Sequence, residues 1–300
     1  MGVEFPPLSD IEQYIDEIFH SFRTYFWIKK HRWFVQCDWC PMDINTTGIL
    51  YTLPYAFDTF YCTDGSRSKS TSLNDLDYSS YYQVQTLEHI HRKQNLGEVL
   101  PLFSFQFLNI RHLKVILPFN DNFWSVIPTL DRLISLDATL NRDLGYPQLQ
   151  ALLDRAPRLY SLSFCHLNNF SMASFNISST SIRRLELFQK FSYGLRYFNS
   201  TECCILAGSS LVFQCEVLII DVESRSSVLD FINIMPNVRV LVIRCNDDKS
   251  SRFHLLEAND ELIEWFHDHL LSKFTYSIIR NPNYNSQIIL WIHRGRSRHL

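Results

Sequence analysis

Cys37 and Cys40 are the two residues with the most chemical promise, cysteines separated by two positions. That spacing suits half of a tetrahedral zinc site or a redox-active dithiol. A zinc site needs two more ligands, and the nearest candidates, His31 and Cys62, do not form the usual second pair. A thioredoxin-like dithiol calls for a Trp directly before the first Cys, whereas Trp39 lies between the two in a strand-like segment. Two Glu-x-x-His pairs, Glu88/His91 and Glu264/His267, have the spacing found in di-iron carboxylate bundles. Those sites require two further glutamates on four long facing helices, and the first pair sits on an expected strand. His89/His91 and His267/His269 are expected to alternate on the solvent side of their elements. The sequence holds no G-x-S-x-G elbow, no G-x-x-x-x-G-K-[ST] or G-x-G-x-x-G loop, and no H-E-x-x-H. The expectation is a non-enzyme with no catalytic, cofactor-binding or metal residues.

The elements that must position these residues follow a repeat. Leu87, Leu113, Leu136, Leu162, Leu185, Leu218 and Leu241 recur at intervals of 26, 23, 26, 23, 33 and 23 residues. Leu87 aside, each window reads apolar-x-x-Leu-x-apolar, as in Ile110/Leu113/Val115 and Val238/Leu241/Ile243. A period of about 20–29 residues with one strand per unit is the signature of a leucine-rich-repeat solenoid. Pro128, Pro157 and Pro236 stand shortly before three of the windows, where proline stops a helix and lets the chain turn into a strand. The predicted fold is α/β, an irregular leucine-rich-repeat-like solenoid with a mostly parallel sheet and a helical or irregular outer face.

Composition narrows the class. Charged residues are 20% of the 300 and aromatics 14%, enough apolar material for a large core. The net charge of −3 offers no Lys/Arg excess for nucleic acid. No stretch reaches 18 apolar residues, so no transmembrane helix or membrane partner is expected. There is no signal-peptide pattern, and the 8 cysteines are too scattered for a disulfide framework, so a cytoplasmic or nuclear setting is expected. The six Trp, flanked mostly by apolar residues, read as core or cap.

Three regions follow from these patterns. Residues 1–82 form an N-terminal helix and capping segment, with a mobile loop at 62–80. Ser9 and Glu12 read as a capping box for the helix, whose stripe of Ile11, Ile15, Ile18, Phe19, Phe22 and Phe26 would cover the open end of the repeat stack. Trp33–Trp39 and Ile49–Leu53 read as strands. Residues 83–258 hold the repeat units, with helices expected near 122–127, from Pro147, near 201–211 and around Val228–Ile232. Residues 259–300 form a helix–hairpin cap, with Asn259 or Asp260 capping the helix.

At this point the chain resembles a family. Trp33–Trp39 followed by Leu53-Pro54-Tyr55-Ala56-Phe57, the stretch from Leu153 to Leu162, and Ser179 to Leu185 are similar to the region after the F-box in F-box-like proteins with leucine-rich repeats. Gln214 to Leu218 and Asp260 to Trp265 fit as well, and the likeness spans roughly residues 10–293. The Leu-Pro opening and three-helix pattern of an F-box itself are not found. The resemblance implies a protein-interaction scaffold, the target-recognition part of a ubiquitin-ligase receptor. Its partner would be a protein, joined by the cullin-ligase adaptor if an F-box stands upstream. Two other readings stay open: an α/β hydrolase or zinc-dependent enzyme, and a degenerate family copy without function. Under the scaffold reading, exposed positions on the strands would contact the partner: Arg111, Lys114, Tyr160, Arg183, Glu186 and Arg239.

Overall fold

Apolar residues that alternate with polar ones build the strands of this chain, and apolar residues three and four apart build its helices. A computed structural model describes residues 2–4, 11–39, 47–63, 67–72, 78–90, 106–119, 123–140, 145–166, 177–187, 197–248, 260–270, 275–282, 284 and 286–293. The fold is α/β with a large, mostly parallel sheet and several helices. The chain divides into two units, Met1–Asp137 and Ala138–Leu300.

Unit 1 opens with β1 (Gly2–Glu4) and α1 (Ile11–Phe22), then β2 (Phe34–Trp39), β3 (Thr47–Leu53), β4 (Thr59–Thr63) and β5 (Arg67–Ser70). Strands β1, β3, β2 and β5 pair antiparallel in that order. The stripe of α1 buries Ile11, Ile15 and Phe19 against Val35, Cys37 and Trp39 of β2. It therefore packs on this small sheet, which corrects the expectation that it covers the end of the repeat stack. Residues 62–80, expected as a mobile loop, contain β5 and the last turn of β4. β5 is held in place by its backbone pairing with β2, and Lys69 adds an ion pair to Asp16 of α1 at 2.6 Å. Ser9 lies outside the described residues.

Alternation sends Gln36 and Asp38 to the opposite face of β2. Polar groups there need partners. Tyr51 Oη donates to Asp38 Oδ2 at 2.6 Å, Ser68 Oγ to Asp38 Oδ1 at 2.6 Å, and Gln36 Nε2 to Ser68 Oγ at 2.7 Å. The Tyr81 hydroxyl closes the group 3.1 Å from that of Tyr51. Burial pushes the Asp38 carboxyl up, and the hydrogen bonds from Ser68, Tyr51 and Gln36 oppose it.

The rest of unit 1 is parallel. β6 (Thr86–Ile90) and β7 (His112–Leu117) lie beside β4 in the order β4, β6, β7, followed by α2 (Phe123–Val126) and β8 (Ser135–Leu140), in which the unit boundary falls. The register sets Phe60 opposite Leu87 and Leu87 opposite Leu113. Phe60 thus occupies the leucine position one strand earlier than the spacing of leucines announces. His89 shares the parity of Leu87 and is only 3% exposed, its ring 6.0 Å from that of Phe123. Its expected place on the solvent side is corrected by this parity. His91 lies outside the described residues.

Unit 2 continues with α3 (Gly145–Asp154), β9 (Ser161–His166), β10 (Arg184–Leu187), α4 (Ser200–Ala207), α5 (Ser210–Phe213), β11 (Val217–Val222), α6 (Ser226–Ile234), β12 (Val240–Cys245), α7 (Glu261–His269), β13 (Thr275–Arg280) and β14 (Ile288–His293). β9 to β12 run parallel; β14 then pairs antiparallel to β12, and β13 to β14. Leu162, Leu185, Leu218, Leu241 and Leu290 stand side by side across five strands. All five are fully buried, and burying one leucine side chain stabilises by roughly 1.5–3 kcal/mol.

The punctuation works as expected. Pro128, Pro157 and Pro236 each follow a helix and precede a strand. The 33-residue interval is filled by α4 and α5. Asn199 opens α4 with a capping box: its side chain accepts from Glu202 N, and Glu202 Oε2 accepts from Asn199 N, both at 3.0 Å. Asp260 caps α7, accepting from Leu262 N and Ile263 N; Asn259 lies outside the described residues. Of the six Trp, Trp39 is buried, Trp33 is 43% exposed, and Trp27, Trp124, Trp265 and Trp291 are half-buried, so the core half of the core-or-cap reading holds for Trp39 alone.

Candidate functional site

Six of the parallel strands, β6, β7, β8, β10, β11 and β12, are entered through the same backbone device. The carbonyl of the residue just before one strand accepts two N–H groups from the entry of the next. In unit 1, Asp58 O accepts from Gln85 and Thr86, Gln85 O from Arg111 and His112, and Arg111 O from Ile134 and Ser135. In unit 2, Tyr160 O accepts from Arg183 and Arg184, Arg183 O from Glu216 and Val217, and Glu216 O from Arg239 and Val240. These bonds, at 2.7–3.0 Å, fix the backbone of each entry residue and line up the side chains along one rim of each unit's sheet.

This ladder sorts the six expected contact residues. Lys114 and Glu186 lie on strands, on the face opposite the leucines. Lys114 Nζ pairs with Glu88 at 2.8 Å, and Arg184 Nη2 reaches Glu186 at 3.4 Å. Arg111, Tyr160, Arg183 and Arg239 each stand one residue before a strand, with the parity of the ladder leucines. Their expected place on the strands is corrected: each precedes its strand and, two positions before a ladder leucine, is not on the face opposite the leucines. They form the rim instead.

Two clefts open on that rim. In unit 1, a cleft of about 570 Å³ is lined by the entry residues Asp58, Gln85 and Arg111 together with Phe57, Tyr82, Asn109 and Arg132. In unit 2, a cleft of about 560 Å³ brings together Arg183, Glu216 and Arg239, with Asn237, Ile292 and His293 beside them. Arg239 Nε lies 3.7 Å from Glu216, and Arg183 Nη1 donates to the carbonyls of Thr180 and Ile182 at 2.9 Å each. Tyr160 is exposed and lines neither cleft.

Comparison with protein-family models and with curated proteins gives no match.

The apolar part of the strand face of unit 2 was not anticipated. Across the sheet, Ser161, Arg184, Val217, Val240, Trp291 and Ser277 form one row, and Ser163, Glu186, Ile219, Val242, Ile289 and Ile279 the next. The rows are polar on β9 and β10 and mainly apolar from β11 to β14. Most of these side chains are half-buried or exposed. The signal was in the sequence: Val217 to Ile220 is apolar at every position, so both faces of that strand must be apolar. Nearby, Asp221 is 1% exposed, with Arg244 Nε 3.2 Å away in an ion pair that is poorly aligned as a hydrogen bond.

Burial raises the Asp221 carboxyl to about 6, against the pull of the Arg244 charge. The folded state then binds a proton that the unfolded state releases between about pH 6 and 3.8, so this group adds stability as pH falls through that window. The stability difference between the parent chain and Asp221→Asn is therefore expected to shift toward the parent by about 2 kcal/mol from pH 7 to pH 4. Urea titrations of both proteins at several pH values measure it; a difference constant with pH would refute the raised carboxyl.

The chemistry-bearing candidates are arranged for packing. Burial pushes the thiols of Cys37, Cys203 and Cys215 up to about 12 each, which keeps them protonated and poorly nucleophilic at neutral pH. Cys40 lies outside the described residues. His31 stacks on Trp33 with ring centroids 4.6 Å apart, and Cys62 is buried. Glu264 and His267 are exposed on α7. Among the described residues, no group of three or more His, Cys, Asp or Glu side chains could hold a metal ion. No helix among them is long and apolar enough to cross a membrane.

Proposed function

We propose that this chain is a non-enzymatic protein-interaction scaffold built as an irregular leucine-rich-repeat-like solenoid. The observation that carries the reading is the leucine ladder. One apolar position per unit is stacked in register, so alternate positions of the same strands are left as a broad face for another protein. In unit 2 that face combines a charged strip, Arg184 and Glu186, with an apolar strip, Val217, Val240, Val242, Ile289 and Trp291. Protein interfaces commonly pair an apolar, aromatic centre with a polar rim. On this reading the strand face and the rim arginines meet the partner, and the chain is the target-recognition part of an F-box-type ubiquitin-ligase receptor. The likeness of its Trp33–Phe57, Leu153–Leu162 and Ser179–Leu185 segments to that family supports the assignment. We assign it to a reducing compartment, cytoplasm or nucleus; seven described cysteines are free and six of them buried.

The test is affinity purification of the tagged chain from its own cells beside the variant Val242→Lys. A partner recovered reproducibly with the parent chain is expected to drop at least ten-fold with the variant, whose unfolding midpoint stays close to the parent's. Co-recovery of the cullin-ligase adaptor supports the receptor role. Partners that bind both proteins equally would refute the strand face as the recognition surface.

A further inference from the structure

The two rim clefts differ in how their arginines are used. In unit 2 the guanidinium groups are occupied, Arg239 by Glu216 and Arg183 by backbone carbonyls. In unit 1, the Arg111 guanidinium has no hydrogen-bond or ion-pair partner among the described residues. Its backbone is nonetheless fixed from both sides, N to Gln85 O at 2.7 Å and O to Ile134 N at 2.8 Å. Arg132 is held at the same cleft by a relay: its Nη1 donates to Asn109 Oδ1 at 2.5 Å, and Asn109 Nδ2 donates to Tyr82 O at 2.9 Å. Asn109 is 8% exposed, so the relay is part of the packed structure. Beside these two cations stand two exposed aromatic rings, Phe57 at 61% and Tyr82 at 64%.

We propose that this cleft binds an acidic peptide. The Arg111 and Arg132 guanidinium groups hold one oxyanion-bearing side chain, a carboxylate or a phosphoryl group, while an apolar neighbour packs on Phe57 and Tyr82. Guanidinium groups match the planar fork of a carboxylate and the tetrahedral face of a phosphoryl group through paired N–H donors. Asp58, the one carboxylate lining the cleft among the described residues, limits the site to a single anion by repelling a second. A polynucleotide instead needs a track of several cations, and the chain's net charge is −3. A volume near 570 Å³ admits two or three side chains, not a folded domain. This inference rests on the scaffold reading, and specifies the ligand chemistry of one of its rim clefts.

Fluorescence anisotropy with the full chain tests it. The probes are three labelled hexapeptides, Ala-Ala-Phe-Glu-Ala-Ala and its phosphoserine and Gln counterparts at the fourth position, and a labelled ten-residue oligouridylate. The Glu or phosphoserine peptide is expected to bind at least ten-fold more tightly than the Gln peptide, and to weaken as salt rises. Whichever of the two is tighter identifies carboxylate or phosphoryl as the oxyanion. R111Q should lower that affinity at least ten-fold with its unfolding midpoint unchanged, R132Q should lower it as much while also removing the Asn109 hydrogen bond, and D58N should raise it. Equal binding of all three peptides, or tighter binding of the oligouridylate, overturns the proposal. If the peptides fail while capture of a partner still depends on Val242, the cleft assignment falls and the scaffold stands; if capture also proves independent of Val242, the strand-face reading falls with it.

Discussion

Leu218→Ala is expected to cost about 3–4 kcal/mol of stability, because it opens a cavity where the surrounding ladder can relax little. Leu218 is fully buried and stands between Leu185 and Leu241 in the parallel register. Its neighbour Val217 points to the opposite face and is half-buried, so Val217→Ala should cost less than about 1 kcal/mol, as surface-facing substitutions do. Urea unfolding of the two variants, followed by tryptophan emission, makes the comparison. Equal losses would mean that Val217 is packed as tightly as Leu218, against its partial exposure.

Arg280→Met is the second large loss, expected at about 2–4 kcal/mol: it leaves the buried Asp248 carboxylate unpaired, while Arg280 and Asp260 themselves are partly exposed. Arg280 grips Asp260 with two bonds, Nε to Oδ2 at 2.6 Å and Nη2 to Oδ1 at 2.7 Å, and reaches Asp248 Oδ2 at 2.7 Å. The Asp248 side chain is 1% exposed. One residue thereby joins β13 to the cap of α7 and to the turn after β12. Burial alone would raise the Asp260 carboxyl, but the hydrogen bonds and charge of Arg280, with the Ile263 and Leu262 N–H groups, outweigh it and hold it below the ordinary carboxylate range. A lowered carboxylate stabilises above its unfolded value and loses that contribution as pH falls through the folded one. The gap between parent and variant should therefore narrow below about pH 4. A gap that stays constant into acid would show that the Asp260 pairing contributes nothing.

How legible this protein was depended on the range of each interaction. The leucine spacing, the proline breaks, the helix at Asp260 and the terminal hairpin all follow from local rules of parity, capping and turn chemistry, and the structure bears each out. Local reading also had the answer for His89 and for Val217 to Ile220: parity with Leu87 buries the first, and an apolar run with no alternation gives the second two apolar faces. The four rim residues were legible too: each stands two positions before a ladder leucine and so shares its parity, which rules out the face opposite the leucines.

The amino-acid sequence by itself determined the α/β class and the buried leucine line, because each depends on residues a few positions apart. Tertiary structure alone decided the rest. Pairing of β5 with β2 turned part of an expected loop into a strand, and gave α1 a small antiparallel sheet to cover. Arg111 and Arg132 came to one cleft, Arg183 and Arg239 to another, and Arg280 to Asp248 across 32 positions. These contacts come from strand order and register, in which backbone hydrogen bonding aligns distant segments that carry no mutual signal in their residue types.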